Sequence, residues 1–138
     1  MRAPGDRGRA RAGGAELTAG ADIALEELAA RLGDPELTIL DVRSPEEFGG
    51  LVGYGCDPRQ GHLPGARNVP VGELLERPAE ELQTLLGTPT GSEIVVYCHS
   101  GARSRAAANA LGTAGYEARN YVGSWHEWSR RGDLPTQS

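Results

Sequence analysis

Cys98, Gly101, Arg103 and Ser104 fall in one short segment, Val96-Tyr97-Cys98-His99-Ser100-Gly101-Ala102-Arg103-Ser104. The pattern places a cysteine at the end of an apolar strand, before a short loop and the first turn of a helix. A free cysteine has a pKa of about 8.5, so only a few per cent is thiolate at neutral pH. A helix N-terminus and a nest of backbone N–H groups favour the anion. Lowering the pKa by about two units takes roughly 2.7 kcal/mol, which a few charge-assisted hydrogen bonds supply. Gly101 lets the backbone turn its amides inward. Arg103 adds a full positive charge, and because it opposes the helix dipole an anionic partner is expected beside it. Ser104 can cap the helix or donate to an anion, and His99 can tune the pocket or touch a substrate. The chemistry implied is that of a reactive thiolate, against the plainer reading of Cys98 as a small buried hydrophobe.

The elements that must position this segment are readable from periodicity. Leu25, Leu28, Ala29 and Leu32 keep the spacing of one helix face. Leu37–Val42 is a short, partly β-branched run that reads as a buried strand. Ser44-Pro45-Glu46-Glu47 opens a helix, with Ser as N-cap, Pro at N1 and Glu at N3. Residues 49–65 hold six glycines and two prolines and read as a long loop. A short strand at 67–70, two helical pieces at 71–77 and 78–86, and a strand at 93–98 follow. The helix at 103–114 stops at Gly115. A strand at 117–122 precedes a capping box at Ser124–Glu127 that opens a last short helix. Strands alternating with helices imply an α/β fold with a mainly parallel sheet covered by helices on both faces. In such sheets the sites lie beyond the carboxyl ends of the strands, where Cys98 stands.

Composition narrows the chemistry. The 138 residues suit one domain, taken as 16–138. All 14 basic residues are arginine, which excludes lysine Schiff-base chemistry and a P-loop lysine. The net charge is −5. Residues 1–15 read as a disordered basic arm, and the acidic remainder argues against nucleic acid as a partner. No apolar run approaches the roughly 20 residues of a membrane span, and the arginine-bearing N-terminus has no apolar signal region, so a cytoplasmic, membrane-free protein is expected. Two cysteines, Cys56 and Cys98, are too few for a disulfide scaffold. A zinc site built from Cys56, Cys98 and the three histidines is not expected, because no short Cys-x2-Cys or His-x3-His spacing exists.

Cys98-His-Ser-Gly101-Ala-Arg103-Ser104 resembles the active-site loop of rhodanese-like domains, Cys-x-x-Gly-x-Arg-Ser. Leu40-Asp41-Val42-Arg43-Ser44-Pro45-Glu46-Glu47-Phe48 is similar to the family's DVR-x-PEE-aromatic segment. Gly61-His62-Leu63-Pro64-Gly65-Ala66-Arg67-Asn68-Val69-Pro70 is similar to its GHIPGA-x-N-P segment. Gly115-Tyr116 and Val122–Trp128 match its tail. The resemblance runs in order from about residue 17 to 135, and it implies a mainly parallel, five-stranded sheet with helices on both faces. It implies sulfur transfer: Cys98 takes a sulfane sulfur from a small anionic donor such as thiosulfate or 3-mercaptopyruvate. The sulfur is held as a persulfide and passed to cyanide, a thiol or a sulfur-relay protein. No metal or organic cofactor is implied. The alternative is a sulfur-carrier or regulatory module that docks a partner protein with little turnover of its own. Related phosphatases and arsenate reductases have five residues between cysteine and arginine. Here four intervene, which suits one added sulfur better than a tetrahedral phosphate.

The resemblance also sorts the supporting residues. The substrate and anion loop is His99, Ser100, Gly101, Ala102, Arg103 and Ser104. Asp41 is expected to accept hydrogen bonds from loop backbone. Arg43 either holds the loop or an incoming anion, or pairs with Glu46 or Glu47. His62, Trp125 and Trp128 read as packing residues. Residues 49–60 depart from compact single-domain relatives and look more like the catalytic half of two-domain thiosulfate sulfurtransferases. Arg59 in that loop is a candidate anion contact or a solvated arginine, and Cys56 is an incidental exposed cysteine or a resolving one. His99 and Ser100 match neither the two-basic pattern of thiosulfate enzymes nor the Gly-Ser-Gly pattern of mercaptopyruvate enzymes, so the donor is left open.

Overall fold

The computed structural model describes residues 21–138; the proposed basic arm lies outside them. In chain order the elements are α1 (Leu25–Ala30), β1 (Leu37–Asp41), α2 (Pro45–Phe48), β2 (Arg67–Asn68), α3 (Val71–Glu76), α4 (Ala79–Leu86), β3 (Glu93–Tyr97), α5 (Ala102–Thr113), β4 (Glu117–Asn120) and α6 (Ser124–Trp128).

The strands form one sheet in the order β2-β1-β3-β4, and every pairing is parallel. Alternation along the strands builds two cores, because successive side chains leave a strand on opposite faces. Leu40, Ile94 and Val96 join Leu74, Leu82, Leu86, Ala107 and Leu111, so α3, α4 and α5 cover one face. Ile39, Val95 and Tyr97 join Leu25, Leu28, Trp125 and Trp128, so α1 and α6 cover the other. Burial on both faces explains why EIVVY reads as an unbroken apolar run rather than an alternating one.

The expected α/β architecture with helices on both faces is thus present, but the sheet has four named strands among the described residues, not five. Beyond β4 the described residues form a single parallel bridge, Asp22 to Asn120. Two backbone bonds frame it, Ile23 N–H to Asn120 O at 3.1 Å and Asn120 N–H to Ala21 O at 3.2 Å. On its C-terminal side the chain leaves the edge at Leu25 to enter α1, and the contact ends there.

The register places the site. Asp41 lies opposite Tyr97, so the carboxyl ends of β1 and β3 finish side by side. The Val42 amide still donates to Tyr97 O, at 3.0 Å. The next residue along β3 is Cys98.

Candidate active site

Cys98 is buried, and its side chain has two sides. Its carbon frame packs in the core with Val96 and Ala107. Its sulfur faces the loop: Gly101 N–H donates to Sγ at 3.1 Å, Ser104 N–H at 3.4 Å and the Ser104 hydroxyl at 3.3 Å. Burial pushes the thiol pKa up. The Ser104 hydroxyl and the amides of Ser104, Gly101 and Ser100 more than reverse this, so the thiol ionises below the ordinary cysteine range.

Gly101 makes the inward turn possible. It has φ of 101°, and a Cβ there would lie 2.9 Å from Val122 O. Its own carbonyl accepts from the Asn120 side chain at 3.2 Å. The α5 helix starts immediately after it, aiming its first turn at the sulfur. Behind the loop, Trp125 N–H donates to Cys98 O at 2.9 Å and His126 N–H to His99 O at 3.0 Å.

The anion expected beside Arg103 is Glu47, whose Oε1 lies 3.2 Å from Nη1. Burial raises the Glu47 pKa, but the hydrogen bond from Arg103 and the Ser44 amide bring it below its ordinary range. The Ser44 capping box is formed as read: Ser44 Oγ accepts from Glu47 N–H at 3.1 Å and Glu47 Oε1 accepts from Ser44 N–H at 3.1 Å. One carboxylate therefore caps α2 and orients the loop arginine. A cleft of about 330 Å³, lined by Ser44, Glu47, Val52, Gly53, Tyr54 and Arg103, opens beside them.

Four readings of the supporting residues are corrected. Arg43 touches neither Glu46 nor Glu47 by hydrogen bond and is not placed for an incoming anion. It is 1% exposed and paired with Asp41, Nη2 to Oδ2 at 2.6 Å, with Nη2 also donating to Gly61 O. It stacks against Trp125 at 5.1 Å from the ring centre. Asp41 accepts from the Arg43 backbone N–H at 2.9 Å and from the Tyr97 hydroxyl at 2.8 Å rather than from the backbone of residues 98–104. Arg59 does not face the site. Its guanidinium donates to the carbonyls of Trp128, Ser129, Arg131 and Leu134, at 2.6–3.2 Å, collecting orphan acceptors after α6. Ser124 does not cap α6, whose N-cap is Gly123. Its hydroxyl instead accepts from Cys98 N–H at 3.1 Å and donates to Tyr121 O at 2.9 Å, with the residue held at φ of 57°. Glu127 Oε1, freed from the box, accepts from the Tyr121 hydroxyl at 2.7 Å.

His99 points away from the sulfur cradle. Its Nε2 lies 2.8 Å from Asp57 Oδ2, and its ring stacks on Tyr54 at 3.8 Å between centroids. His62 stacks on Phe48 at 3.6 Å, consistent with a packing role. Sequence reasoning missed Asp57, Asn120 and the true task of Ser124. Each acts on a residue at least 19 positions away, where no local motif points to it.

The α/β fold agrees with comparison to known proteins. Residues 24–131 match the model of the Rhodanese-like domain, and the chain belongs to that family. It is 38% identical over 122 residues to a protein of Mycobacterium tuberculosis named "Putative thiosulfate sulfurtransferase SseB", covering 83% of this chain and 42% of that one. It is 36% identical over 113 residues to the "Sulfur carrier protein TtuD" of Thermus thermophilus, covering 70% of this chain and 40% of that one. A solved structure described as "Crystal Structure of Probable Thiosulfate Sulfurtransferase" superposes with a TM-score of 0.75 at 47% identity, over 85% of this chain and 47% of that one. The chain thus spans less than half the length of these relatives. No helix among the described residues is long and apolar enough to cross a membrane.

Proposed function

We propose that this chain is a sulfurtransferase whose sulfur carrier is Cys98. The observation that carries the reading is the convergence of Gly101 N–H, Ser104 N–H and the Ser104 hydroxyl on one buried sulfur. Those donors stabilise a thiolate before reaction. With an added sulfur in the loop, the same helix end and amides meet the negative charge of a persulfide.

In the forward half-reaction the Cys98 thiolate attacks the outer sulfur of thiosulfate. A new S–S bond forms, the donor's S–S bond breaks, and sulfite leaves with the electron pair. In the second half, cyanide or a thiolate attacks the outer sulfur of the persulfide and the Cys98 thiolate is restored. Arg103 keeps positive charge at the loop for the anionic donor, while Glu47 fixes its direction. A covalent carrier of this kind gives ping-pong kinetics.

A second reading, a carrier that accepts sulfur from a protein and turns over slowly alone, is supported by the likeness to the protein named as a sulfur carrier. Both readings are tested by one experiment. The purified chain is incubated with thiosulfate, weighed by mass spectrometry, then treated with cyanide. The enzyme reading expects one added sulfur on Cys98, removed by cyanide with thiocyanate formed, and none in Cys98→Ser. Loading only from a protein donor would favour the carrier. Turnover retained by Cys98→Ser would defeat both.

A further inference from the structure

A second group of reactive side chains lies behind His99. One ligand atom each from Cys56, Asp57, His99 and His126 lies within 4.8 Å of all the others. They come from the loop after α2, the loop after β3, and α6. Nothing in the proposed sulfur transfer uses Cys56, Asp57 or His126.

We propose that this cluster is a binding site for a divalent transition metal of the zinc type. The donor set is one sulfur, one carboxylate and two imidazoles, which suits zinc or cobalt rather than magnesium or calcium. Asp57 is the hub. Its side chain is 1% exposed, with Oδ2 at 2.8 Å from His99 Nε2 and Oδ1 at 3.4 Å from His126 Nδ1. Cys56 Sγ lies 3.8 Å from the same Oδ1.

The space between the donors already attracts positive charge. Arg130 Nη1 lies 2.9 Å from Asp57 Oδ1 and 3.1 Å from His126 Nδ1. The two N–H groups of Nη1 are taken by Asp57 Oδ1 and by His126 O, the latter at 2.6 Å, which leaves His126 Nδ1 as the atom a metal would take. A divalent ion displaces the partly exposed Arg130 guanidinium into water, at the cost of its bonds to His126 O and Cys56 O, both 2.6 Å. Cys56 gives its thiol proton to solvent, and its thiolate with the Asp57 carboxylate neutralises the ion.

The geometry needs a small adjustment. Ligand atoms around tetrahedral zinc stand about 3.3–3.8 Å apart. The widest separation must therefore close by about an ångström, while the His99–Asp57 pair, at 2.8 Å, opens by about half an ångström. Cys56 and His126 are both exposed and can supply that movement. Once loaded, the metal ties His99, the neighbour of Cys98, to the overhanging loop and to α6.

The test is a titration of the full chain with cobalt(II) under reducing conditions, read by absorption. One equivalent is expected to give a thiolate-to-cobalt charge-transfer band and the intense visible bands of four-coordinate cobalt, both bleached by zinc. The readout is independent of sulfur transfer. Cys98→Ser is expected to keep the spectrum. Cys56→Ser is expected to lose the charge-transfer band, and it and His126→Asn to weaken binding by at least about tenfold. Circular dichroism establishes that each variant is folded. The site is disproved if wild-type protein gives only a six-coordinate spectrum, or if the charge-transfer band follows Cys98 rather than Cys56.

Discussion

The two loops that meet at this site are built by opposite means. The 98–104 loop is short and organised by its own backbone: its amides and one hydroxyl converge on a sulfur within the same segment. The 49–65 loop is long and glycine-rich, and side chains hold it to the rest of the fold. Arg43 reaches Gly61 O, Arg130 reaches Cys56 O and His62 reaches Phe48 O. Arg59 reaches outward from the loop to the segment after α6. Each loop carries one cysteine. Donors from its own loop surround the Cys98 sulfur, whereas Cys56 shares its surroundings between Asp57 of its own loop and His99 and His126 from elsewhere. A loop made from its own backbone has a local motif; one held by distant partners does not.

Substitutions can break that contrast, and the largest effect is expected in the long loop. Arg43→Met keeps the stem but strands the buried Asp41 carboxylate and frees Gly61 O. Removing one member of a buried pair costs about 3–5 kcal/mol. Urea unfolding measures it, and a loss below about 1 kcal/mol would mean the pair is not what holds the loop.

In the short loop, Gly101→Ala should cost about 1–2 kcal/mol from the positive φ alone. Its methyl would also press on Val122 O at 2.9 Å. The expected outcome is a lower unfolding midpoint together with a drop in sulfur-loading rate. An alanine variant with wild-type loading would show that the amides need no inward turn.

Ser104→Ala is the mildest change and the sharpest probe, since it removes one donor to Cys98. The folded-state pKa of Cys98 is lowered by the loop, so its thiolate adds stability above the unfolded value. That contribution fades as pH falls through the folded pKa. In the variant the pKa rises. Alkylation and sulfur loading should then both show an acid limb displaced to higher pH, with loading reduced up to about tenfold near neutrality. Rates should converge at high pH, where both proteins are fully thiolate. An unmoved acid limb would remove Ser104 from the stabilisation of the anion.

The same contrast explains what was legible in the sequence. The β3 strand, the Cys98 loop and the Ser44 capping box rest on residues within a few positions of one another, so pattern and spacing suffice. The Ser124 capping box looked equally local, yet a distant amide, that of Cys98, took its hydroxyl. Arg59 and Arg43 carried the right charge for an anion site but were drawn to backbone carbonyls and a buried carboxylate instead. Four strands are named where the family resemblance implies five; beyond β4 the described residues form a single bridge, Asp22 to Asn120, which no local apolar pattern announces. Asp57 was invisible because its partners lie 42 and 73 residues along the chain.

The fastening of the C-terminal stretch has a dynamic corollary. Arg59 gathers carbonyls from 128 to 134, and His62 and Gln137 exchange backbone bonds at 2.7 and 2.9 Å. The overhanging loop and the last dozen residues are therefore latched to each other. In deuterium exchange, the amides of His62 and Gln137 should lose protection at a common rate, as one cooperative opening unit rather than as two independently fraying ends.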